Sequence, residues 1–422
     1  MLPGGVVLGQ RHRSRRAKEN RIGWFRRSGR RVDDESVRDD DSTRRRALDD
    51  NDEVGFGPRR PDGRRPSGRL LIACGAVLAA VAAVAATLVT GHGSNPPRAQ
   101  PASTGAASTS AVSTVEAGPH LLGVRGSWEL FGYGPGGLVR IQFALGRITQ
   151  TAVPVRSGEP VSLVVGPHEA IISHLDYLPA YLVPDGRPAR PLSGVLGQGG
   201  IVLPGPQPGT AWVEAGPSAT SMPLVRMDGT ETGVSAPLPP SLGTGAGSDG
   251  RGGVLVIDYS PTGSTWEDVR PGGFQPIAGN LVAVGPTRWL AADCPTGHRC
   301  SYAIVDPATG ARNPLPGPSA EFQPEPGLGV IAPDGSAAAI VAASGDRVTL
   351  QLLNLVSGSD QQIPVSLDAE SLTYQMLAWS PDSRWLFVVT AQGKLAVVDA
   401  RTGHVESLGV SLPSLSLIAV RN

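Results

Sequence analysis

From Leu377 to Val410 the chain alternates short apolar runs with turn signals, reading LAWSPDSRWLFVVTAQGKLAVVDARTGHVESLGV. Four apolar runs are separated by Pro381-Asp382-Ser383, Gln392-Gly393-Lys394 and Arg401-Thr402-Gly403. Runs this short, rich in Val388, Val389, Val397 and Val398, predict strands, and the turns predict a four-stranded antiparallel meander. Pro381 presets φ for the first central position of a turn, Asp382 can bond backbone just ahead, and Gly393 and Gly403 permit positive φ. Both faces of such a sheet are apolar, so a single copy leaves one face wet. Stacking copies around a ring buries both.

Copies do recur upstream. Aligned on the turn after the third strand, Asp399-Ala400-Arg401-Thr402-Gly403 is matched by Asn354-Leu355-Val356-Ser357-Gly358 and Asp306-Pro307-Ala308-Thr309-Gly310. Weaker matches are Asp228-Gly229-Thr230 and Asp185-Gly186-Arg187, with degenerate slots near Val269 and Phe143. Pro333-Asp334-Gly335 repeats the first-strand turn at Pro381-Asp382-Ser383. The spacing, about 40–45 residues, is that of propeller blades. The expected fold is therefore all-β, a seven-bladed β-propeller, with six or eight blades as variants and an all-β sandwich as the alternative. The pairing W-S-P-D with D-x-x-T-G resembles the TolB-like, WD40-like β-propeller repeats of bacterial envelope proteins, well over Asn280–Val410 and loosely over Leu121–Gly279. That resemblance implies a scaffolding role in an envelope complex.

The rest of the hydropathy pattern divides the chain. Residues 1–69 have no sustained apolar period and alternate basic runs (Arg13-Ser14-Arg15-Arg16, Arg44-Arg45-Arg46) with acidic ones (Asp39-Asp40-Asp41). Such a segment cannot bury enough surface to offset its ordering entropy, so a disordered cytoplasmic tail is expected. Trp24-Phe25 among arginines raises a nucleic-acid tail, against which the interleaved acids argue. Leu70–Val89 is uncharged and apolar, and its twenty residues span about 30 Å as a helix. Arg64, Arg65 and Arg69 precede it and no basic residue follows before Arg98, except the weakly basic His92. The positive-inside rule then places residues 1–69 in the cytoplasm, a single-pass transmembrane helix over 70–90, and the remainder outside. A cleaved signal peptide competes, with Ala-Val-Ala at 83–85 as a cleavage-like site, but the charged preface is long for that class. Residues 91–118, rich in Pro, Ala, Ser and Thr, are expected to form an extended linker, leaving 119–422 as the extracytoplasmic domain.

Charge adds an asymmetry. The whole chain balances at 37 Lys and Arg against 37 Asp and Glu, yet residues 1–69 carry 19 and 12, so the remainder is net acidic. Gly (55) and Pro (39) fit a turn-rich domain with few long helices. Cys74 lies near the start of the apolar run, not after it, so Leu71-Ile72-Ala73-Cys74 is no lipoprotein box. Gly75, Ala79 and Ala83 have small-xxx-small spacing, which an alanine-rich span makes nearly unavoidable.

Chemistry is sparse. Cys294 and Cys300 sit at the base of a predicted hairpin outside the membrane, where a disulfide is expected. His298 and Arg299 at its tip could make a contact. His168-Glu169 begins like a zinc-protease motif, but Ile172 stands at the fifth position; His168 and His174 are expected to be surface residues. Ser241–Gly253 reads as a glycine-rich loop. Nucleophile-elbow, phosphate-loop and calcium-loop motifs are missing, so no catalytic, metal or cofactor residue is nominated. The expected inner runs LVVG, IVLP, LVAV, GVIA and MLAW carry almost no polar groups, which weighs against a propeller hydrolase or lyase. The tryptophans are spread across the units, as blade packing requires. The function expected is binding of an envelope protein, peptide or glycan, with no nucleic-acid partner and with the lipid bilayer met through residues 70–90. The alternatives are an enzyme or a sensor signalling through the tail. The apolar end Leu415–Val420 is expected to return to the first unit, which lacks a clear first strand, and close the ring.

Overall fold

The computed structural model describes residues 112–422 except 155–159, 175–177, 199, 215–218, 240–244, 261–262, 295–299, 317–322, 345–346, 369–371 and 374. The expected tail, membrane helix and most of the linker, and the loop tip with His298 and Arg299, lie outside those residues.

The meander read from Leu377–Val410 forms as Leu377–Trp379, Trp385–Val389, Leu395–Asp399 and Val405–Glu406, paired antiparallel in that order. Trp385–Val389 is buried at every position, which explains an unbroken apolar run where a one-sided sheet would alternate. The aligned turns work alike. The Asp399 side chain accepts from the Arg401 amide at 2.9 Å, and Gly403, at φ 69°, donates its N–H to the Asp399 carbonyl at 2.8 Å. Asp306 does the same for Ala308 and Gly310, and Asn354 for Val356 and Gly358.

Among the described residues the remaining elements are strands and two 3-10 turns, Leu121–Gly123 and Gly194–Gln198. Three further four-stranded meanders begin at Pro160–Val165, Ile201–Pro204 and Gly245–Ser248. A nine-stranded sheet contains the meanders that start at Asn280–Val284 and Gly329–Ile331, joined by parallel pairing of these two strands, with Gln323–Pro324 attached off the main path. A five-stranded sheet has the spatial order Val112–Glu116, Arg147–Thr151, Gly137–Gln142, Glu129–Gly134, Leu417–Arg421. The chain thus brings its last strand beside Glu129–Gly134, with Phe131 opposite Ala419. Gly134 permits the crossing: a Cβ there would lie 2.0 Å from the Ser414 carbonyl oxygen.

Consecutive sheets pack face to face. Phe131, Tyr133 and Leu417 meet Leu163, Ile172 and Val183; Leu203, Trp212 and Met222 meet Val254 and Val269; Leu255 and Trp266 meet Leu281 and Trp289. This is an all-β, propeller-like arrangement. Tryptophan serves it as expected: Trp212 donates from Nε1 to the Gly252 carbonyl, Trp289 to that of Asp249, and Trp379 to that of Val330.

Three expectations need correction. The folded part begins before residue 119, because Val112–Glu116, in the Ser/Thr/Val end of the expected linker, pairs with Arg147–Thr151. Within the expected loop Ser241–Gly253, Gly245–Ser248 is a strand paired with Val254–Ser260, since backbone hydrogen bonding needs no side chain. His168 is exposed, but His174 is fully buried, because Glu169–His174 packs between neighbouring sheets. Cys294 and Cys300 are disulfide-bonded, at the base of the hairpin Trp289–Asp293 and Ser301–Val305.

Candidate functional site

In each meander the turns after the first and third strands fall at the same end of the sheet.

Where the first sheet meets the second, Glu129 and Asp185 share two arginines. Glu129 accepts from Arg140 at 2.6 and 3.0 Å and from Gln142 at 2.7 Å. Arg421 donates through Nε to Glu129 at 2.8 Å, bonds it again through Nη2, and reaches Asp185 at 2.8 and 3.1 Å. The Arg421 guanidinium lies 4.7 Å from the Phe131 ring. Burial alone would raise the Glu129 pKa, but Arg140, Gln142 and Arg421 outweigh it and hold the carboxyl below its ordinary range. Asp185 heads one of the aligned turns, yet its carboxylate serves the arginines. The saturated pairing makes this cluster a clamp on the chain terminus; little is left for a ligand.

A second group lies in the meander that starts at Gly245–Ser248. Asp249 and Asp268 are buried and face each other across Gly253, where a Cβ would sit 2.7 and 2.9 Å from an oxygen of each. Asp249 caps its turn through the amides of Arg251 and Gly253, and Arg270 bridges the two carboxylates at 2.9 and 2.8 Å. Burial, with the Asp249 charge added, pushes Asp268 up to about 6 despite Arg270. Its Oδ1 is buried without a partner.

At the opposite end, the Tyr133 hydroxyl and His174 Nε2 share a hydrogen bond of 3.1 Å. Burial raises Tyr133 to about 12 and lowers His174, so the imidazole is neutral.

Several groups on the edges of first strands are bonded to neighbouring sheets. Both the N–H and the carbonyl of Leu163 bond the Gln375 side chain at 2.7 Å, the Ser162 hydroxyl accepts from Val202 N–H, and the Gln375 carbonyl accepts from Ile418 N–H. Gln375 immediately precedes MLAW and gave no signal in the sequence.

An open cleft of about 540 Å³ lies between Gly123–Trp128, which leads into the second strand of the first sheet, and the turn Pro381–Trp385 of the last. Val124, Trp128, Pro381 and Trp385 form its apolar lining, and Arg125, Asp382 and Arg384 its charged part. Asp382 is turned into its own loop, accepting from Ser380 Oγ at 2.5 Å and from the Arg384 amide at 3.3 Å. The Arg384 guanidinium stacks over the Trp385 ring at 4.6 Å. Its Nε lies 3.7 Å from an Asp399 oxygen, too far for a hydrogen bond, and Trp385 Nε1 also has no acceptor among the described residues. Trp289, which like Trp385 opens the second strand of its meander, does have one. The repeat pattern located this turn; the orphan donors depend on tertiary placement.

No protein-family model matches the sequence, and a search of curated proteins finds no match. Solved structures do resemble it. A functionally unknown protein from Desulfotomaculum acetoxidans aligns over 70% of this chain and 99% of its own, at 13% identity and TM-score 0.46. TolB from Acinetobacter baumannii aligns over 65% and 61%, at 12% identity and TM-score 0.37. Oligogalacturonate lyase from Vibrio parahaemolyticus aligns over 68% and 96%, at 8% identity and TM-score 0.43.

Proposed function

We propose that this chain is a membrane-anchored, extracytoplasmic binding module, a seven-bladed propeller that docks an envelope protein, peptide or glycan in the cleft between Gly123–Trp128 and Pro381–Trp385. The blade number follows from taking the nine-stranded sheet as two blades, since parallel pairing joins only their first strands. The anchor is the uncharged run Leu70–Val89 with arginines on its N-terminal side. The observation that carries the docking reading is the cleft itself, apolar-walled and rimmed by arginines. An enzyme is disfavoured because the first strands are mostly apolar and both edge groups of Leu163 are taken by Gln375.

The test places a photo-crosslinking phenylalanine analogue at Arg125 in the full chain, in living cells, with Val234 on an outer strand as the control position. The expected result is a discrete adduct from position 125 only, degraded by protease added outside intact spheroplasts. Adducts from 234 but not 125 would remove the cleft as the docking site. Adducts protected from external protease would reverse the assigned orientation.

A further inference from the structure

We infer that the cleft takes a carboxylate-bearing peptide segment, with Trp385 Nε1 and the Arg384 and Arg125 guanidinium groups as the donors that receive it. This rests on the docking reading above and names its ligand class. Buried donors are nearly always paired, because an orphan indole N–H loses its hydrogen bond to water without gaining another. Trp385 is 1% exposed and its Nε1 has no partner, while the corresponding Trp289 is satisfied by the Asp249 carbonyl. The last unit therefore keeps a donor whose acceptor is missing, beside a cleft.

The sign of the charge agrees. The lining carries Arg125 and Arg384 against Asp382, which keeps its charge while it accepts from Ser380 and the Arg384 amide, and Arg384 also lies 3.7 Å from an Asp399 oxygen. Arg125 is in no ion pair among the described residues. A carboxylate matches a guanidinium fork better than a neutral acceptor does. Arg384 stacks over the Trp385 ring with 42% of its side chain exposed. Its Nε has no hydrogen bond, and a move toward a ligand would exchange the stack on Trp385 and the 3.7 Å ion pair with Asp399 for the ligand's carboxylate.

Peptide is favoured over acidic glycan by the aromatic surfaces. Sugars stack on open ring faces, but Trp128 and Trp385 are only 7% and 1% exposed. Pro381, partly exposed, offers an apolar surface for an aliphatic side chain, and about 540 Å³ holds a few residues.

The experiment uses the full chain in detergent, labelled with 5-fluorotryptophan to give a resonance for each of the seven tryptophans. Trp385→Phe assigns the relevant one. N-acetyl-leucyl-aspartate is the probe, with its diamide as the neutral control and a uronate trisaccharide as the glycan control. A saturable shift of the Trp385 resonance with the dipeptide is expected, at least tenfold weaker with the diamide. Arg125→Gln and Arg384→Gln, changes in exposed or half-exposed side chains, should each weaken binding at least fivefold while leaving the other resonances in place. An equal response to the diamide would overturn the carboxylate assignment while leaving docking in the cleft intact. A response to the trisaccharide alone would overturn the choice of peptide. A Trp385 resonance unmoved by all three would overturn the inference, and the crosslink at position 125 then judges the docking reading separately.

Discussion

Asp268 illustrates how a single buried carboxyl couples this fold to pH. Its pKa is raised to about 6 by burial and by Asp249. Between about pH 4 and 6 the folded protein holds a proton that the unfolded chain has released, so stability is lost as pH rises through that window. Asp268→Asn removes the charge and offers an amide that can donate toward Asp249. The expected outcome is a higher thermal midpoint at pH 8 than the parent and a shallower decline between pH 5 and 8. A midpoint lowered equally at both pH values would mean that the carboxylate is ionised and stabilised by Arg270. Residues of this kind were the least legible in the sequence. The cysteine pair could be read because six positions and two flanking strands bring Cys294 and Cys300 together locally. Asp249, Asp268, Glu129 and Arg421 acquire their roles only from partners far along the chain, and His174 was misread because a residue near a strand end carries no mark of what packs over it.

Strands and turns were far more legible, since each turn states its mechanism locally. Every aligned turn, including the degenerate slots near Phe143 and Val269, joins two antiparallel strands. The strand Gly245–Ser248 escaped because GAGS has no apolar residue larger than alanine to signal it. Interactions between elements were hidden for a different reason. Gln375 spans from the lead-in of Leu377–Trp379 to the edge of Pro160–Val165 and satisfies both backbone groups of Leu163. Gln375→Ala would leave a buried N–H and a buried carbonyl unpaired, costing roughly 2–4 kcal/mol. Chemical denaturation should show a lower midpoint with an unchanged slope. A midpoint equal to the parent's would mean that water replaces the side chain and that the centre is wetter than described.

For the molecule as a whole, the decisive feature is that Leu417–Arg421 returns to pair with Glu129–Gly134 in the first sheet. Leu415 N–H bonds the Gly393 carbonyl, Ser416 N–H that of Tyr133, and Ile418 N–H that of Gln375, so the terminus is held by the last sheet and the first together. Arg421 then locks it to Glu129 and Asp185. An open arrangement would expose a strand edge on Glu129–Gly134 and the apolar faces beside it, a hazard for aggregation. The closure also brings Gly123–Trp128 against Pro381–Trp385, so the cleft exists only if the chain closes on itself. The apolar end Leu415–Val420 made this return legible in the sequence; the clamp by Arg421 was not. Hydrogen exchange of the full chain, followed by mass spectrometry, tests the closure without altering a residue. Peptides covering Leu417–Arg421 should be protected to the same degree as those covering Trp385–Val389. Exchange of the terminal peptide within seconds, beside a protected Trp385–Val389, would contradict the closed arrangement and the cleft that depends on it.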